Sequence, residues 1–165
     1  MIFRSKAPLR IGLAGGGTDV SPYCDLYGGA ILNTTISHAA YASIETLDAN
    51  KIIVETLDRK EKQEFSWDTI LPIDGELNLL KGVYNRIQKD YGIKKCGIRL
   101  STFVDAPAGS GLGTSSTLVV AILGAFIEML RLPFSQYDAA HYAYDIERNN
   151  LQLAGGRQDQ YAATF

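Results

Sequence analysis

A glycine-rich run followed directly by a long apolar segment constrains the fold of this chain more than any other feature. Residues 107–116 read PAGSGLGTSS, and an apolar run over 118–130 comes after them. Glycine has no Cβ, so such a run can turn tightly and bring its N–H groups close to a ligand. A helix over the apolar run would direct its unpaired N–H groups at the same point. Together these features predict an anion site, with phosphate as the usual occupant.

The hydroxyl residues Thr114, Ser115 and Ser116 stand where that helix would begin. They can cap the helix, bind phosphate oxygens or act as ligands of a hard cation. The alternative is a glycine-rich turn with an ordinary Ser/Thr cap, and the loop alone does not decide, because short motifs produce false matches. The run is not a Walker A sequence, since no GK[ST] follows, and it lacks the GxGxxG spacing of a dinucleotide fold.

Composition describes one ordinary globular domain over residues 1–165 and argues against several functions. The net charge is −2 and the Lys and Arg residues are spread along the chain, which argues against a nucleic-acid partner. No apolar run reaches the roughly 18 residues of a membrane span, and the first residues lack the apolar region of a signal peptide. Cys24 and Cys96 lie far apart, which is typical of free thiols in a reducing cytosol. We therefore expect a cytoplasmic protein.

Hydropathy and turn patterns predict an α+β fold. Strands are expected over 5–14, 30–36, 41–47, 52–57 and 97–104. Helices are expected over 20–27, 77–91, 115–130, 135–149 and 158–165. The chain shows no repeat, low-complexity tract or linker, so we expect these elements to form one domain.

Two further segments, taken with the glycine-rich loop, resemble the GHMP kinases (galacto-, homoserine, mevalonate and phosphomevalonate kinases). Residues 7–19 read APLRIGLAGGGTD, and Glu147 is followed by AGGRQDQ at 154–160. The resemblance covers Ser5 to Phe165. It implies a ribosomal protein S5 domain 2-like fold, with helices packed on one side of a mixed sheet. Because GHMP kinases are usually twice this length, it also implies an N-terminal domain without the C-terminal GHMP domain, which should pack against this one.

The resemblance implies ATP and Mg²⁺ as cofactors. The implied phosphate-binding residues are Pro107, Gly109, Ser110, Gly111, Leu112, Gly113, Thr114, Ser115 and Ser116. Ser115 and Glu147 match the residues that would act as Mg²⁺ ligands, and this cation needs few protein oxygens beside phosphate and water. The alternative for Glu147 is a solvated helix residue beside Arg148.

The resemblance also implies two catalytic residues. Asp159 matches an aspartate that takes the proton of the acceptor hydroxyl or orients that hydroxyl. Arg10 matches an arginine that would keep this carboxylate ionised and stabilise developing charge. The alternatives are an N-cap for the last helix at Asp159, which is compatible with catalysis, and a surface arginine at a strand edge.

The implied substrate-binding residues are Gly16, Gly17, Thr18, Asp19, Tyr23 and Arg157. Asp19 would accept hydrogen bonds from sugar hydroxyls. Gly16 and Gly17 stand where galactokinases carry Glu and His, so they leave space and argue against galactose. Tyr23 would stack on the sugar ring or lie in the core. Arg157 is the preferred cation for a distal phosphate, with Arg4, Lys6 and Arg148 as the other candidates.

Within the family, the GGGTDV and GGRQDQYAATF runs are most similar to sugar 1-kinases that act on heptose 7-phosphate. This implies a transferase that phosphorylates the anomeric hydroxyl of D-glycero-D-manno-heptose 7-phosphate to the 1,7-bisphosphate. The alternatives are a kinase for an L-fucose- or galactose-like sugar and a GHMP-like ligand-binding module without turnover. We expect small-molecule partners only, namely the sugar phosphate and ATP, with no nucleic acid and no membrane. This chain by itself is expected to be inactive.

Overall fold

The computed structural model describes residues 1–67, 69–93 and 96–165. Its strands are β1 (Ile2–Ala14), β2 (Leu32–Leu47), β3 (Lys51–Thr56), β4 (Glu61–Ser66) and β5 (Gly97–Val104). Its α-helices are α1 (Tyr23–Tyr27), α2 (Asn78–Tyr91), α3 (Thr114–Leu130), α4 (Gln136–Asp145) and α5 (Gln158–Thr164). A π-helical turn over Ile146–Asn150 continues directly from α4.

The strands form one sheet in the order β1-β2-β5-β3-β4. β3 and β5 are parallel, whereas the other neighbouring pairs are antiparallel. The sheet is therefore mixed, as the sequence analysis expected.

Helix α3 packs against β1, β2 and β5 on one face of this sheet, α5 packs against β1 and β2, and α2 packs beside α3. Side chains alternate between the two faces of a strand, so Ile44 and Leu100 point into the core while their neighbours Glu45 and Arg99 point away from it. Arg99 Nη1 lies 3.2 Å from a carboxylate oxygen of Glu45. Helix α3 is apolar on every side because it is buried along most of its length. Each fully buried Leu, Ile or Phe contributes about 1.5–3 kcal/mol through removal of apolar surface from water.

Three elements differ from the sequence prediction. The two strands expected over 30–36 and 41–47 are one strand, β2, which continues through its polar middle because β1 pairs with it almost throughout. Strand β4 was missed because its sequence, EKQEFS, is mostly polar and it lies at the sheet edge. The helix expected over 135–149 changes to π-helical geometry after Asp145.

A two-stranded ribbon carries β1 past the rest of the sheet. β2 pairs with β5 only from Ala40 onward, but it still pairs with β1 between Leu32 and Thr35. This ribbon brings Arg10 to the glycine-rich loop, where the Arg10 N–H donates to the carbonyl of Leu112 at 3.2 Å. None of the helices in the described parts of the chain is long and apolar enough to cross a membrane.

Candidate active site

The glycine-rich loop begins α3 without any side-chain cap. The N-cap position is Gly113, with a φ of 75°, and Gly109 and Gly111 also have positive φ. Such backbone conformations favour glycine, because a Cβ would approach the following carbonyl oxygen. Since Gly113 has no side chain to accept from the first turn, the N–H groups there remain available to an anion.

Arg10 joins Asp159 to this loop. Its Nε and Nη2 both donate to Oδ1 of Asp159, at 2.8 and 2.6 Å, and its Nη1 donates to the carbonyl of Gly111 at 2.6 Å. The Arg10 side chain is 14% exposed, so it is not the surface arginine of the alternative reading. Asp159 does not cap α5, because the N-cap position is Arg157 and Asp159 lies in the first turn.

Glu147 lies at the centre of a buried polar cluster. It is 1% exposed, which excludes the solvated helix position of the alternative reading. Ser116 Oγ donates to its Oε1 at 3.0 Å, and Gln160 Nε2 donates to its Oε2 in a short hydrogen bond. Burial raises the pKa of the Glu147 carboxyl, while the hydrogen bonds from Gln160 and Ser116 act in the opposite direction.

The residues around Glu147 fit a magnesium ion. Ser115 and Glu147 line the same cavity and supply the hydroxyl and carboxylate oxygens that this cation prefers. Gln160 Oε1 is buried nearby and, within the described residues, accepts no hydrogen bond. No cluster of three or more His, Cys, Asp or Glu residues occurs in the described ranges, so a metal here would depend on few protein ligands. Of the two serines, it is Ser116 that donates a hydrogen bond to Glu147 in the described part of the chain.

Two cavities meet at the start of α3. The first, here called the acceptor cavity, has a volume of about 430 Å³ and contains the Arg10–Asp159 pair. It is lined by Arg10, Gly17, Asp19, Val20, Ser115, Ser116, Glu147, Arg148, Leu153, Ala154, Gly155, Gly156, Gln158 and Asp159. The second, here called the nucleotide cleft, has a volume of about 630 Å³ and is lined on one side by Pro107, Ala108 and Gly109. Ser115 borders both, so a group transferred between them would pass the helix start.

The substrate residues expected from the sequence fall into two groups. Gly17 and Asp19 line the acceptor cavity. A Cβ on Gly16 or Gly17 would meet nothing within 4 Å, so both glycines leave open space. Thr18 instead supports the turn, since its Oγ1 donates to the carbonyl of Gly15 at 2.7 Å.

Two other expected substrate residues lie differently. Tyr23 is not among the residues that line the acceptor cavity, so its contact with the sugar stays a prediction. Its ring packs against Tyr27 on α1, with the centroids 5.3 Å apart. The Arg157 guanidinium also lies outside that lining, 5.2 Å from the centre of the Tyr144 ring. Both residues are exposed, so neither belongs to the core.

Asp19 has a partner that the sequence did not indicate. Its Oδ2 accepts hydrogen bonds from the N–H groups of Arg157 and Gln158, at 2.7 and 2.8 Å. Gln158 and Gln160 were not predicted as site residues, because their only signal in the sequence is that they flank Asp159. The carboxylate of Asp19 is therefore partly occupied by the protein itself.

Residues 78–165 match the family described as GHMP kinases N terminal domain. This match covers more than half of the chain. The chain belongs to the GHMP kinase family.

Individual relatives of this GHMP kinase domain agree with that assignment. The D-glycero-alpha-D-manno-heptose 7-phosphate kinase of Campylobacter jejuni is 48% identical over 162 residues, which are 98% of this chain and 48% of the relative. A crystal structure of a D-glycero-D-manno-heptose 1-phosphate kinase from Bacteroides thetaiotaomicron is 55% identical, with a TM-score of 0.94, and the match covers 100% of this chain and 54% of that one. The chain thus spans about half the length of these relatives.

A more distant GHMP kinase shares the fold. The galactokinase of Lactococcus lactis, solved with galactose, has a TM-score of 0.83 at 23% identity, over 99% of this chain and 42% of its own length. At that identity the likeness supports the architecture and not the substrate.

Proposed function

We propose that this chain is the N-terminal domain of an ATP-dependent sugar kinase. The reaction transfers the γ-phosphoryl group of ATP to the anomeric hydroxyl of D-glycero-D-manno-heptose 7-phosphate and gives the 1,7-bisphosphate. The observation that carries this proposal is the junction at Ser115, where the acceptor cavity and the nucleotide cleft meet beside the Arg10–Asp159 pair. The two relatives named as heptose-phosphate kinases, at 48% and 55% identity, support the choice of sugar.

On the nucleotide side, the loop binds phosphates through its backbone. The N–H groups of the loop and of the first turn of α3 meet phosphate oxygens, and the hydroxyls of Thr114 and Ser115 add donors. The adenosine occupies the nucleotide cleft, where Val104, Pro107 and Leu118 present apolar surface. Phosphoryl transfer depends mainly on positioning and charge stabilisation, so a rigid helix start suits it.

Ser115 and Glu147 are the residues that would hold Mg²⁺. When bound, this cation neutralises negative charge on the phosphates. Ser116 and Gln160 fix the carboxylate of Glu147 through the hydrogen bonds described above. Their effect is to present a carboxylate oxygen with a defined direction at a buried position in the lining of the acceptor cavity.

On the acceptor side, Asp159 accepts the proton of the anomeric hydroxyl or orients that hydroxyl. Arg10 donates twice to Oδ1, and within the described residues no hydrogen bond reaches Oδ2, so the second oxygen can accept from the sugar. The guanidinium also touches the loop carbonyl of Gly111 and stabilises negative charge that develops beside it.

Recognition of the acceptor uses the glycines of the first motif and a cation for the distal phosphate. Gly16 and Gly17 provide the room for a heptose. Arg157 is our candidate for the distal phosphate because its guanidinium is exposed, whereas that of Arg148 is bound to backbone carbonyls. Lys6 lies over the Tyr41 ring at 5.6 Å, on strand β1, and is a poorer candidate.

The whole protein should contain a second domain that packs against this one and completes the cleft. We also propose a cytoplasmic location, since both cysteines, Cys24 and Cys96, are free thiols and ATP is the phosphoryl donor.

The test is steady-state phosphoryl transfer from ATP·Mg²⁺ by the whole protein to matched acceptors. We would compare heptose 7-phosphate, heptose 1-phosphate, unphosphorylated heptose, L-fucose and galactose. Selective turnover of the 7-phosphate supports the proposal. One relative is named as a heptose 1-phosphate kinase. Preference for the 1-phosphate would mean that the phosphoryl group goes to a hydroxyl other than the anomeric one, and it would contradict the proposal. Turnover of a neutral hexose would remove the distal-phosphate site, and no turnover would favour the binding module.

A further inference from the structure

One wall of the acceptor cavity is an irregular segment that leads directly into Asp159. Residues 153–158 are here called the wall segment. They form no strand, and the last of them, Gln158, is the first residue of α5. Most of them line the acceptor cavity. Without a sheet ladder or a helix, the backbone of this segment needs other partners to keep one conformation.

Arg148 supplies partners for the carbonyl groups. Its Nη1 donates to the carbonyls of Leu153 and Ala154, at 2.7 and 3.0 Å, and its Nη2 donates to that of Gly156 at 3.3 Å. Gly155 allows this approach, because a Cβ there would lie 2.7 Å from Nη2. The guanidinium lies 5.5 Å from the centre of the Tyr144 ring, which further restrains it.

Asp19 supplies a partner for the N–H groups of the same segment. Its Oδ2 accepts from Arg157 and Gln158, as described above. Gly156 allows this approach, because a Cβ there would lie 2.0 Å from the same oxygen. Of the two consecutive glycines in the GGR sequence, Gly155 leaves space for the Arg148 guanidinium and Gly156 leaves space for the Asp19 carboxylate.

We propose that Arg148 and Asp19 are positioning residues that together fix the wall segment and so set the position of Asp159 before the acceptor binds. Arg148 binds carbonyl groups and Asp19 binds N–H groups, so the two side chains restrain different backbone groups of the same segment. For Asp19 this differs from a role as a sugar ligand only. The kinetic consequence rests on the proposed function, whereas the conformational consequence does not.

The conformational test is hydrogen exchange of the wall-segment amides, resolved by residue, in the whole protein without any ligand. Asp19→Ala should speed exchange at Arg157 and Gln158 by about tenfold or more, since both amides lose their acceptor. Arg148→Ala should speed exchange across the same segment. The matched controls are Asp48→Ala, at an exposed position between β2 and β3, and Asn149→Ala on the π-helical turn, which should leave the segment unchanged. Unchanged exchange in Asp19→Ala would overturn the proposal, whatever the enzyme assay shows.

The kinetic test separates positioning from simple loss of structure. Arg148→Ala and Asp19→Ala should each lower kcat by up to about 10²-fold with little change in KM for ATP. The reason is that a displacement of Asp159 by about 1 Å is enough to misplace the reacting groups. Asp19→Asn should retain most of kcat, since an amide oxygen can still accept both N–H groups. Arg148→Lys should not, because an ammonium cannot reach three carbonyls as a planar guanidinium does.

A double variant supplies the decisive kinetic comparison. In Arg148→Ala/Asp159→Asn, the first change should add nothing to the loss caused by the second, because there is no longer a carboxylate to position. Additive losses would contradict positioning of Asp159. A rise in KM for the sugar phosphate alone in Asp19→Ala, with kcat preserved, would show Asp19 to be a substrate ligand and would likewise contradict the proposal.

Discussion

Gly113, at the start of α3, meets a backbone constraint and a packing constraint that both require glycine. Its φ of 75° disfavours a side chain, and a Cβ added there would lie 3.2 Å from Oδ2 of Asp159 and 3.5 Å from Cζ of Arg10. It also occupies the N-cap position of α3. Backbone strain and proximity to the carboxylate therefore select glycine independently at this position.

We expect Gly113→Ala to lower both stability and turnover. The positive φ costs about 1–2 kcal/mol in the free energy of unfolding, and the new Cβ displaces Asp159. Gly92→Ala is the matched control, because Gly92 has a φ of 65° with nothing within 4 Å of an added Cβ. Urea denaturation should show similar destabilisation in both variants, while kcat should fall in Gly113→Ala only. Equal kcat in the two variants would argue against the close approach of Gly113 to Asp159.

Replacement of the carboxylate itself tests the role of Asp159. Asp159→Asn should lower kcat by about 10²–10⁴-fold, because the amide cannot take a proton, and should leave the affinity for ATP largely unchanged. Calorimetric titration with a non-hydrolysable ATP analogue measures the second quantity. Turnover at the level of the unsubstituted protein would exclude both the base and the orienting role.

At the scale of the elements, helices α2 and α4 are joined by a polar network behind the site. Arg86 Nε donates to Oδ2 of Asp90 at 2.5 Å, and Tyr142 Oη donates to the same oxygen at 2.8 Å. The Arg86 guanidinium lies 4.7 Å from the centre of the Tyr142 ring. This network supports the turn that carries Glu147, since Arg86 also bonds Asn150 at 2.8 Å.

This network predicts a pH dependence of stability. The hydrogen bond from Arg86 lowers the pKa of Asp90, burial opposes this, and the hydrogen bond from Tyr142 lowers the pKa further. A folded-state pKa below the unfolded one gives stability that is complete above the usual carboxyl range and is lost as the pH falls through the folded value. The advantage of the unsubstituted protein over Asp90→Asn should therefore shrink below about pH 4. Denaturation at several pH values measures it, and a constant difference would contradict the account.

Local sequence patterns predicted most helices and strands but not the continuity or the pairing of the strands. The helical periodicity of apolar residues located α2, and the apolar run after the glycine-rich loop located α3, both almost to the residue. It could not show that β2 is continuous, since that depends on pairing with β1, nor that β4 exists, since its exposed edge position permits polar residues. Sheet order and the change to π-helical geometry also depend on contacts between distant segments.

The site was predictable in its motifs and not in its internal contacts. The sequence pointed to Arg10, Asp159 and the glycine-rich loop, and the structure brings them together. It did not indicate that Asp19 accepts from N–H groups 138 and 139 residues away, because nothing local marks that contact. Similarly, the GGR sequence looks like an ordinary flexible turn until the side chains that approach its glycines are known.

At the scale of the whole molecule, the proposed function assigns one cavity to the nucleotide and the other to the acceptor. A third cavity of about 400 Å³, which includes Ile70, Ile73 and Gly82 in its lining, shares no lining residue with the glycine-rich loop. The buried Glu147 cluster stands behind the junction and links the π-helical turn, α3 and α5. If Glu147 holds Mg²⁺ as proposed, metal binding should therefore change the stability of the whole domain.

We expect Glu147→Gln to raise the Mg²⁺ concentration needed for half-maximal turnover, because a neutral amide is a poorer ligand than a carboxylate. In a thermal unfolding assay, ATP·Mg²⁺ at 100 times its Kd should stabilise the unsubstituted protein by about 2.7 kcal/mol, and the same concentrations should stabilise the variant less. Glu128→Gln, at an exposed position of α3, is the control. An unaltered Mg²⁺ dependence would mean that other residues hold the metal.

The central claim is that the acceptor is a heptose phosphate and that its anomeric hydroxyl receives the phosphoryl group. The most direct measurement is ³¹P NMR of the product formed from heptose 7-phosphate and ATP·Mg²⁺ by the whole protein. We expect the 7-phosphate signal to be retained and one new sugar-phosphate signal to appear, coupled to the anomeric proton. A new phosphate on any other carbon, or ADP release without a new sugar phosphate, would contradict it.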